Sequence, residues 1–372
     1  MNYIINKENA ISNRGNCCRI KKVLKKATNH ENVTIGFIGG SITQGSLSSS
    51  PTTCYAYRVF EWWEKTFPDT TFTYINAGIG GTTSQFGVAR VEEDLLAKRP
   101  DFVIVEFSVN DESNEHFLET YEGLIRKIYY SDTNPAVLII HNVYYDSGAN
   151  AQVQHAKIGR YYNIPSVSMQ SSIYPEVVSG RINNRDITPD DLHPNDMGHE
   201  LVASVVTYFL DKINKDRDIV EESNESLIPP LTVNEYENSI RYNNKNISWS
   251  GIGFEADESE QIQITDCFKN GWMAEHVGDF IVFEIEASSI AIQYRKSVKQ
   301  PAPIAKIVID DEEEKGILLD ANFDETWGDK LELKTVLEHG EYKKHKVEVR
   351  LDDVKDMNMV PFYLVSVIGA SQ

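Results

Sequence analysis

The sequence predicts an α/β protein followed by a second, all-β part: a doubly wound parallel sheet first, then an antiparallel β-sandwich. Three observations predict it. Up to Lys215, short apolar runs alternate with helical patterns. Those apolar runs are almost continuous, as in parallel strands buried on both faces. Beyond a polar segment the helical period disappears, and short alternating strands take its place.

The first part is expected to alternate strand and helix. The predicted strands lie at 33–39, 72–78, 102–108, 136–143 and 164–169. The predicted helices lie at 19–27, 55–67, 84–98, 117–131, 150–163 and 195–214. In a doubly wound sheet, ligands bind beyond the carboxyl ends of the strands. Chemistry is therefore expected in the residues that follow each strand.

The second part is predicted to be a separate domain. Residues 217–235 are polar, carry Pro229-Pro230, and are expected to be a linker or wrapping segment between domains at 1–216 and 236–372. The predicted strands beyond it lie at 261–265, 280–286, 290–295, 305–310, 315–320, 345–351 and 362–369. This pattern favours an antiparallel, jelly-roll-like β-sandwich. The acidic run at 310–315 is expected to be a solvated hairpin loop.

Composition excludes several classes of partner. The 372 residues carry 36 basic and 56 acidic side chains, a net charge of −20, which repels nucleic acid and anionic membranes. Apolar runs fall short of a membrane span, the N-terminal residues lack a signal-peptide pattern, and the four cysteines form no disulfide framework. We expect a soluble cytoplasmic protein with no nucleic-acid or membrane partner. The sequence leaves open whether the protein forms a homo-oligomer.

Polar residues follow the predicted strands. Ser41 follows the first strand and two glycines, Gly81 lies after the second, and Asn110 after the third. Beyond the fifth strand, a loop carries Asp190 and His193 just before a helix. Each feature has an ordinary interpretation by itself, since serine caps helices and asparagine stabilises turns. Four such elements in order, each at a strand end, favour a site.

Acyl transfer explains this set of residue types. It needs a nucleophile, a base, a group that orients the base, and donors for the oxyanion. Ser41 is the candidate nucleophile, His193 the base and Asp190 its orienting carboxylate. The backbone N–H groups of Ser41 and Gly81 and the side-chain amide of Asn110 are the candidate oxyanion donors. His199, a rival base, lies inside a predicted helix and is expected to be a packing or surface residue.

Over about residues 15–214 the sequence resembles the SGNH hydrolases, or GDSL-type esterases. Ser41, Gly81 and Asn110 match the first three blocks of that family, and Asp190 and His193 match its D-x-x-H-P block. The resemblance implies a flavodoxin-like three-layer α/β/α fold that needs no metal or organic cofactor. The sequence agrees, because it lacks a P-loop, HExxH and a dinucleotide fingerprint.

Two positions depart from the family pattern. The first block reads Gly39-Gly40-Ser41 where Gly-Asp-Ser is familiar, and the third has Ser108 in place of a glycine. The first change loses an acidic neighbour outside the triad. The second is expected to alter the pocket wall. Neither removes a catalytic group.

Further residues have candidate roles. Glu106 lies inside a strand and needs a partner if it is buried; Arg90 is a candidate. In the helix at 55–67, Ala56, Val59, Phe60, Trp63 and Phe67 share the predicted core face. Off that face lie Tyr55, Tyr57 and Trp62, which are candidates for the pocket mouth.

Members of the family remove acetyl groups from sugars, or hydrolyse fatty esters, thioesters or lysophospholipids. An SGNH domain joined to a β-sandwich resembles the two-domain carbohydrate acetylesterases, although the domain order is reversed here. We therefore predict a serine esterase that removes acetyl groups from carbohydrate such as acetylated xylo-oligosaccharides, through an acyl-enzyme. The alternatives are a lipid esterase or thioesterase, or a non-catalytic carbohydrate-binding protein. The candidate sugar-stacking aromatics of the sandwich are Trp249, Trp272, Tyr294 and Trp327.

Overall fold

The computed structural model describes residues 3–222, 226–354 and 358–372. The chain divides into two compact units, with the boundary between Asn234 and Glu235. Among the helices of these described residues, none combines the length and apolar character needed to cross a bilayer.

The first unit alternates strands and helices much as the sequence predicts. Its strands are β1 (Ile11–Asn13), β2 (Val33–Gly39), β3 (Phe72–Gly78), β4 (Phe102–Glu106), β5 (Ala136–His141) and β6 (Ser166–Ser168). Its helices are α1 (Cys18–Thr28), α2 (Ser41–Gln44), α3 (Tyr55–Thr66), α4 (Ser84–Asp94), α5 (Glu115–Tyr129), α6 (Gln152–Tyr161), α7 (Tyr174–Val178), α8 (Asn184–Ile187) and α9 (Asp196–Lys215). A short 3-10 turn, Leu96–Lys98, completes the predicted helix at 84–98.

The sheet of this unit has the order β1-β6-β5-β4-β2-β3. Strands β2 to β6 are parallel, and β1 pairs with β6 in the antiparallel direction at one edge. This is the flavodoxin-like arrangement, so the predicted α/β/α fold is confirmed. The strand order reverses between β2 and β4. Ligands bind at such a switch point, and both Ser41 and Asn110 follow strands that flank it.

Helix α3 illustrates how the amphipathic pattern determines packing. Ala56, Val59 and Trp63 are buried in the hydrophobic core, as their spacing predicts. Tyr55 is also buried, and its hydroxyl is 2.8 Å from Thr43 Oγ1. Trp62 is half-buried and donates to Asp211 Oδ1 of the neighbouring helix α9 at 2.9 Å. The prediction that Tyr55 lines the pocket mouth is therefore wrong.

The segment predicted to be a linker, 217–235, is hydrogen-bonded to the first unit where it is described; residues 223–225 lie outside the described part. The buried Glu122 carboxylate accepts the backbone N–H groups of Leu231 at 2.6 Å and Thr232 at 2.7 Å. Arg126 donates to the Ile228 carbonyl at 2.6 Å. These contacts support the wrapping interpretation over a free tether.

The second unit consists of antiparallel strands, which confirms the predicted β-sandwich. The strands are β7 (Ile240–Tyr242), β8 (Trp249–Ile252), β9 (Glu255–Ala256), β10 (Trp272–Ala274), β11 (Phe280–Ala287), β12 (Ser289–Lys296), β13 (Ile304–Ile309), β14 (Ile317–Asp320), β15 (Lys330–Leu337), β16 (Lys343–Asp353) and β17 (Phe362–Ala370). One sheet has the order β15-β12-β17-β10-β9, with β7 also paired to β17. The other has the order β14-β13-β16-β11-β8. Inward side chains of both sheets form one apolar core.

Two sequence expectations fail in this unit. Residues 261–265 form no strand, and Ile262 is exposed. Among the described strands, none pairs with this stretch. Of the candidate sugar-stacking aromatics, Trp272 and Tyr294 are buried in the sandwich core, which excludes them from sugar contact. Trp327 has 63% of its surface exposed.

Candidate active site

Ser41 is placed at the carboxyl end of β2, as the first residue of the short helix α2. The chain leaves the sheet at Gly40, whose N–H donates to the Glu106 carbonyl of the neighbouring β4 at 3.3 Å. Because Ser41 begins a helix, its own backbone N–H has no intrahelical acceptor. The turn therefore presents a hydroxyl and a backbone donor at the switch point of the sheet.

The loop before α9 brings a histidine and a carboxylate to this serine. His193 Nε2 lies 2.8 Å from Ser41 Oγ, and His193 Nδ1 lies 2.6 Å from Asp190 Oδ2. The three predicted triad residues thus form one hydrogen-bonded relay, although 152 positions separate Ser41 from His193. With Asp190 accepting from Nδ1–H, Nε2 carries the lone pair that can take the serine proton.

Asp190 is held as a carboxylate by its own loop. Its Oδ1 accepts the backbone N–H groups of His193 at 2.7 Å and Leu192 at 3.1 Å. Partial burial raises the pKa of Asp190, but hydrogen bonds from the His193 side chain and from these two N–H groups outweigh it and lower the pKa below its usual value. The charge that orients His193 is therefore present at neutral pH.

Asn110 reaches the site because Gly40 has no side chain. A Cβ placed on Gly40 would lie 2.1 Å from Asn110 Oδ1 and 3.2 Å from Nδ2. The amide thus packs directly against the residue before Ser41. Within the described part of the chain, Nδ2 has no protein acceptor, so it is available to a ligand. With Gly40 at this position, the Asn110 amide occupies the space that a side chain at position 40 would enter.

Gly81 lies in the turn after β3, with a φ of +68° that favours glycine. A Cβ on Gly81 would meet no atom within 4 Å among the described residues, whereas one on its neighbour Gly80 would lie 3.6 Å from Ser41 Cβ. The Gly80 N–H donates to Gln44 Oε1 at 2.6 Å. The turn therefore runs beside Ser41, and Gly81 faces open space. Sequence reasoning did not find Gln44, because nothing local identifies its side chain as an acceptor.

His199 is a packing residue, as expected. It is buried, its Nδ1 accepts the Tyr55 N–H at 3.2 Å, and its Nε2 lies 3.3 Å from the Ser46 carbonyl. Burial lowers its pKa to about 4, only partly offset by the hydrogen bond to Ser46. A neutral, enclosed imidazole with both nitrogens engaged does not serve as the base.

Two expectations about neighbouring polar residues are corrected. Arg90 pairs with Asp94 at 2.8 Å and not with Glu106. The buried Glu106 Oε1 lies 3.1 Å from both the N–H and the hydroxyl of Ser108. Ser108 is wholly buried, so it forms no part of the pocket wall. Among the described residues, no cluster of three or more His, Cys, Asp or Glu has the arrangement of a metal site.

Comparison with known proteins identifies the family that this chain resembles. Residues 37–201 match the model of the GDSL-like lipase/acylhydrolase family. The chain is 63% identical to a two-domain esterase active on acetylated mannans, over 99% of both chains, with a TM-score of 0.98. The structure of such an esterase co-crystallised with mannopentaose gives 63% identity over 100% of this chain and 99% of that one, with a TM-score of 0.96.

A more distant relative matches the first unit only. An acetylxylan esterase of Geobacillus stearothermophilus is 24% identical over 196 residues, which are 45% of this chain and 89% of that protein. The full-length likeness at 63% identity is what decides the family, and the matched region contains Ser41, Asn110, Asp190 and His193. This chain belongs to the GDSL-like lipase/acylhydrolase family and is a carboxylic ester hydrolase.

Proposed function

We propose that this esterase removes acetyl groups from acetylated mannan or its oligosaccharides, using Ser41, His193 and Asp190 and an acetyl-enzyme. The observation that carries the chemistry is the relay itself, 2.8 Å from Ser41 Oγ to His193 Nε2 and 2.6 Å from Nδ1 to Asp190. The likeness to a mannan-active esterase over both units supports the choice of carbohydrate.

In the first half-reaction, Ser41 Oγ attacks the acetyl carbonyl carbon while His193 Nε2 takes its proton. The carbonyl oxygen becomes an oxyanion, and its donors are the N–H groups of Ser41 and Gly81 and Nδ2 of Asn110. When the tetrahedral intermediate collapses, His193 returns the proton to the sugar oxygen. The sugar leaves as an alcohol, and the acetyl group stays on Ser41.

In the second half-reaction, a water molecule replaces the sugar. His193 takes a proton from that water as it attacks the acetyl carbonyl, and the same donors stabilise the second oxyanion. Collapse returns the proton to Ser41 Oγ and releases acetate. Asp190 stays ionised throughout and stabilises the imidazolium that forms twice in each cycle.

Acetylated xylo-oligosaccharide is the second candidate substrate. The sequence resemblance favours it, and so does the match to an acetylxylan esterase over 196 residues of the first unit. We rank acetylated mannan higher because the mannan-active relative matches both units at 63% identity. Lipid esters and thioesters are the remaining candidates within the family.

The test is acetate release by the full chain from acetylated manno-oligosaccharides, acetylated xylo-oligosaccharides and 4-nitrophenyl acetate, with Ser41→Ala alongside. Ser204→Ala is the matched control, because among the described residues the Ser204 hydroxyl bonds only the Leu201 carbonyl of its own helix, at 2.8 Å. We expect Ser41→Ala to lower kcat on every substrate by about 10⁴-fold or more.

The outcomes separate chemistry from substrate. Release from the mannan oligosaccharides at the highest kcat/KM, lost in Ser41→Ala and kept in Ser204→Ala, supports the whole proposal. Preference for the xylo-oligosaccharides moves the substrate to the second candidate and leaves the catalytic residues unchanged. Full activity of Ser41→Ala on 4-nitrophenyl acetate refutes the proposed nucleophile.

A further inference from the structure

The carboxylate of Asp111 joins two of the loops that form the site. Its Oδ1 accepts the backbone N–H of Ser84 at 2.9 Å, and its Oδ2 lies 3.0 Å from His155 Nε2. The side chains of Asp111 and His155 are wholly buried. The carboxylate therefore bonds a backbone donor on one side and an imidazole donor on the other.

The two joined loops are those that carry candidate oxyanion donors. Asp111 directly follows Asn110, and both of their N–H groups bond to the Phe107 carbonyl at 3.0 Å, which makes the turn compact. Ser84 is the first residue of α4 and stands three positions after Gly81. A shift of the Asp111 carboxylate therefore changes the separation between the Asn110 amide and the Gly81 N–H.

His155 is a rigid partner for this carboxylate. Its ring stacks on that of Tyr121, with the centroids 3.6 Å apart and the planes 6° from parallel. The backbone also ties α6 to the Asn110 turn, because the Ala151 N–H donates to the Ser108 carbonyl at 2.7 Å. Asp111 is thus held against a fixed wall formed by α5 and α6.

The turn that carries Gly81 is held at its other end as well. Gln44, in the helix that begins with Ser41, accepts the Gly80 N–H at 2.6 Å. The stretch from Gly80 to Ser84 is therefore fixed by Gln44 on the side of the nucleophile and by Asp111 on the side of Asn110. Two side chains, Gln44 from α2 and Asp111 from the turn after β4, therefore hold the turn that carries the Gly81 N–H.

We propose that Asp111, held by His155, is a positioning residue of the oxyanion hole and acts through Asn110 and Gly81. The inference rests on the proposed function of Ser41. Oxyanion donors stabilise the transition state only when they are fixed at hydrogen-bond distance from the developing charge. Because this interaction strengthens between ground state and transition state, loosening it lowers kcat and leaves KM nearly constant.

A single backbone donor can be removed to test this. Ser84→Pro deletes the N–H that Asp111 accepts, and proline is tolerated at the first position of a helix. Thr83 before it has φ −104° and ψ 172°, a conformation that a residue before proline adopts readily. Ser84→Ala is the reference, because both variants lose the hydroxyl that lies 2.8 Å from Thr120 Oγ1 and only Ser84→Pro loses the N–H.

The experiment measures kcat, KM and thermal unfolding of the full chain on 4-nitrophenyl acetate. The variants are Ser84→Ala, Ser84→Pro, Asp111→Asn, Asn110→Ala and the double variant Asn110→Ala/Ser84→Pro. We expect Ser84→Pro to lower kcat at least tenfold relative to Ser84→Ala, with KM within about twofold. We expect Asp111→Asn to lower kcat by a similar factor. In the Asn110→Ala background, most of the Ser84→Pro effect should disappear.

Three results would overturn the proposal. Equal kcat values for Ser84→Pro and Ser84→Ala would show that the Asp111 bond does not affect the donors. Losses that multiply in the double variant would indicate general destabilisation and not action through Asn110. If the kcat of the variants falls in proportion to their folded fraction at each temperature, general destabilisation would again explain the loss. Hydrolysis that is independent of Ser41 refutes the proposed function instead, so the two failures are distinguishable.

Discussion

The two units of the chain bury polar side chains in different ways. In the first unit, buried polar side chains gather where β4 and β5 end, at Glu106, Ser108, His141 and Asn142. In the second unit, strand β11 inside one of the two sheets alternates strictly between buried and more exposed side chains. Along β11, Ile281 and Phe283 point into the apolar core, and Glu284 between Phe283 and Ile285 is exposed. The first unit gathers buried polar groups at strand ends, whereas the second buries Gln293 and Ser366 within β12 and β17, where the Ser366 hydroxyl donates to the Gln293 side-chain oxygen.

This difference indicates where the fold tolerates the free-energy cost of burying polar side chains. Burying a polar group without full compensation costs stability, so such groups are expected only where they serve another purpose. In the first unit they surround the switch point that holds Ser41 and Asn110. In the second unit, β11 follows the alternating pattern simply, and the packing of apolar side chains from both sheets stabilises the core. Four substitutions test this comparison.

The largest expected effect is on the folding of the second unit. Trp272→Ala removes a wholly buried indole that packs against Phe283 with ring centroids 4.9 Å apart. We expect a loss of about 3–5 kcal/mol in the free energy of unfolding of this unit. Denaturant unfolding followed by circular dichroism measures it, with the exposed Trp327→Ala as the control. Equal stability of both variants would contradict the assignment of Trp272 to the core.

Next in size is a change beside the nucleophile in the first unit. Gly40→Ala places a methyl group where Asn110 Oδ1 now lies, so the amide must move away from the site. We expect kcat on 4-nitrophenyl acetate to fall about 100-fold, equivalent to about 3 kcal/mol, because one oxyanion donor is lost. Thermal unfolding should change little, since the end of a side chain yields. Wild-type turnover would place the Asn110 amide outside the reaction.

The third prediction concerns the dependence of stability on pH. Burial raises the pKa of Glu106 to about 7 from its ordinary 4.5, against the opposing bonds from Ser108. Between these two pH values the folded chain keeps a proton that the unfolded chain has lost. The contribution of Glu106 to the free energy of unfolding therefore falls as pH rises from about 4.5 to about 7, and this contribution changes no further above that range.

Glu106→Gln removes this titration and can keep the Ser108 bonds. We expect the stability of the variant, relative to wild type, to increase by an amount of the order of 3 kcal/mol between pH 4 and pH 8. The measurement is denaturant unfolding of both proteins at several pH values, with exposed Glu64→Gln as the matched control. If the difference between Glu106→Gln and wild type does not vary with pH, the pKa of Glu106 is the same in the folded and unfolded chain, which would refute the predicted effect of burial.

The smallest expected effect involves the exposed aromatic of the second unit. If Trp327 stacks on a sugar ring, as the sequence suggests, Trp327→Ala should weaken mannopentaose binding about fivefold, equivalent to about 1 kcal/mol. Turnover of 4-nitrophenyl acetate should not change. Calorimetric titration of Ser41→Ala, with and without the Trp327 substitution, measures the difference. Identical affinities would remove Trp327 from sugar recognition.

Much of the fold was predictable because local pattern and tertiary environment agree. The strands at 33–39 and 72–78 have the predicted bounds, since they are apolar runs bounded by turn residues. The strand β15 was missed although its first five residues alternate charged and apolar side chains; most of its side chains are only partly buried. The strand β1 has only three residues and forms through pairing with β6, which no local pattern reveals.

The candidate site divides in the same way. Ser41, Asn110, Asp190 and His193 were identifiable because each lies at a strand end or in the loop before a helix, in recognisable local patterns. The bond between Asp111 and His155 could not be predicted, because 44 positions separate the two residues. A histidine inside a helix also gives no local pattern that indicates its partner. Positioning residues depend on distant contacts, so sequence patterns find the reacting groups before the groups that hold them.

The hydrogen bonds from the Leu231 and Thr232 backbone to Glu122 have a practical consequence for preparing fragments of this enzyme. Truncation after Asp216, one residue beyond α9, would leave the buried Glu122 carboxylate without the two backbone N–H groups that now donate to it. Truncation after Asn234 would retain both. An isolated hydrolase fragment should therefore include the polar segment, and a fragment that omits it should express poorly or aggregate. The useful cutting point is set by hydrogen bonds and not by the end of the helical pattern.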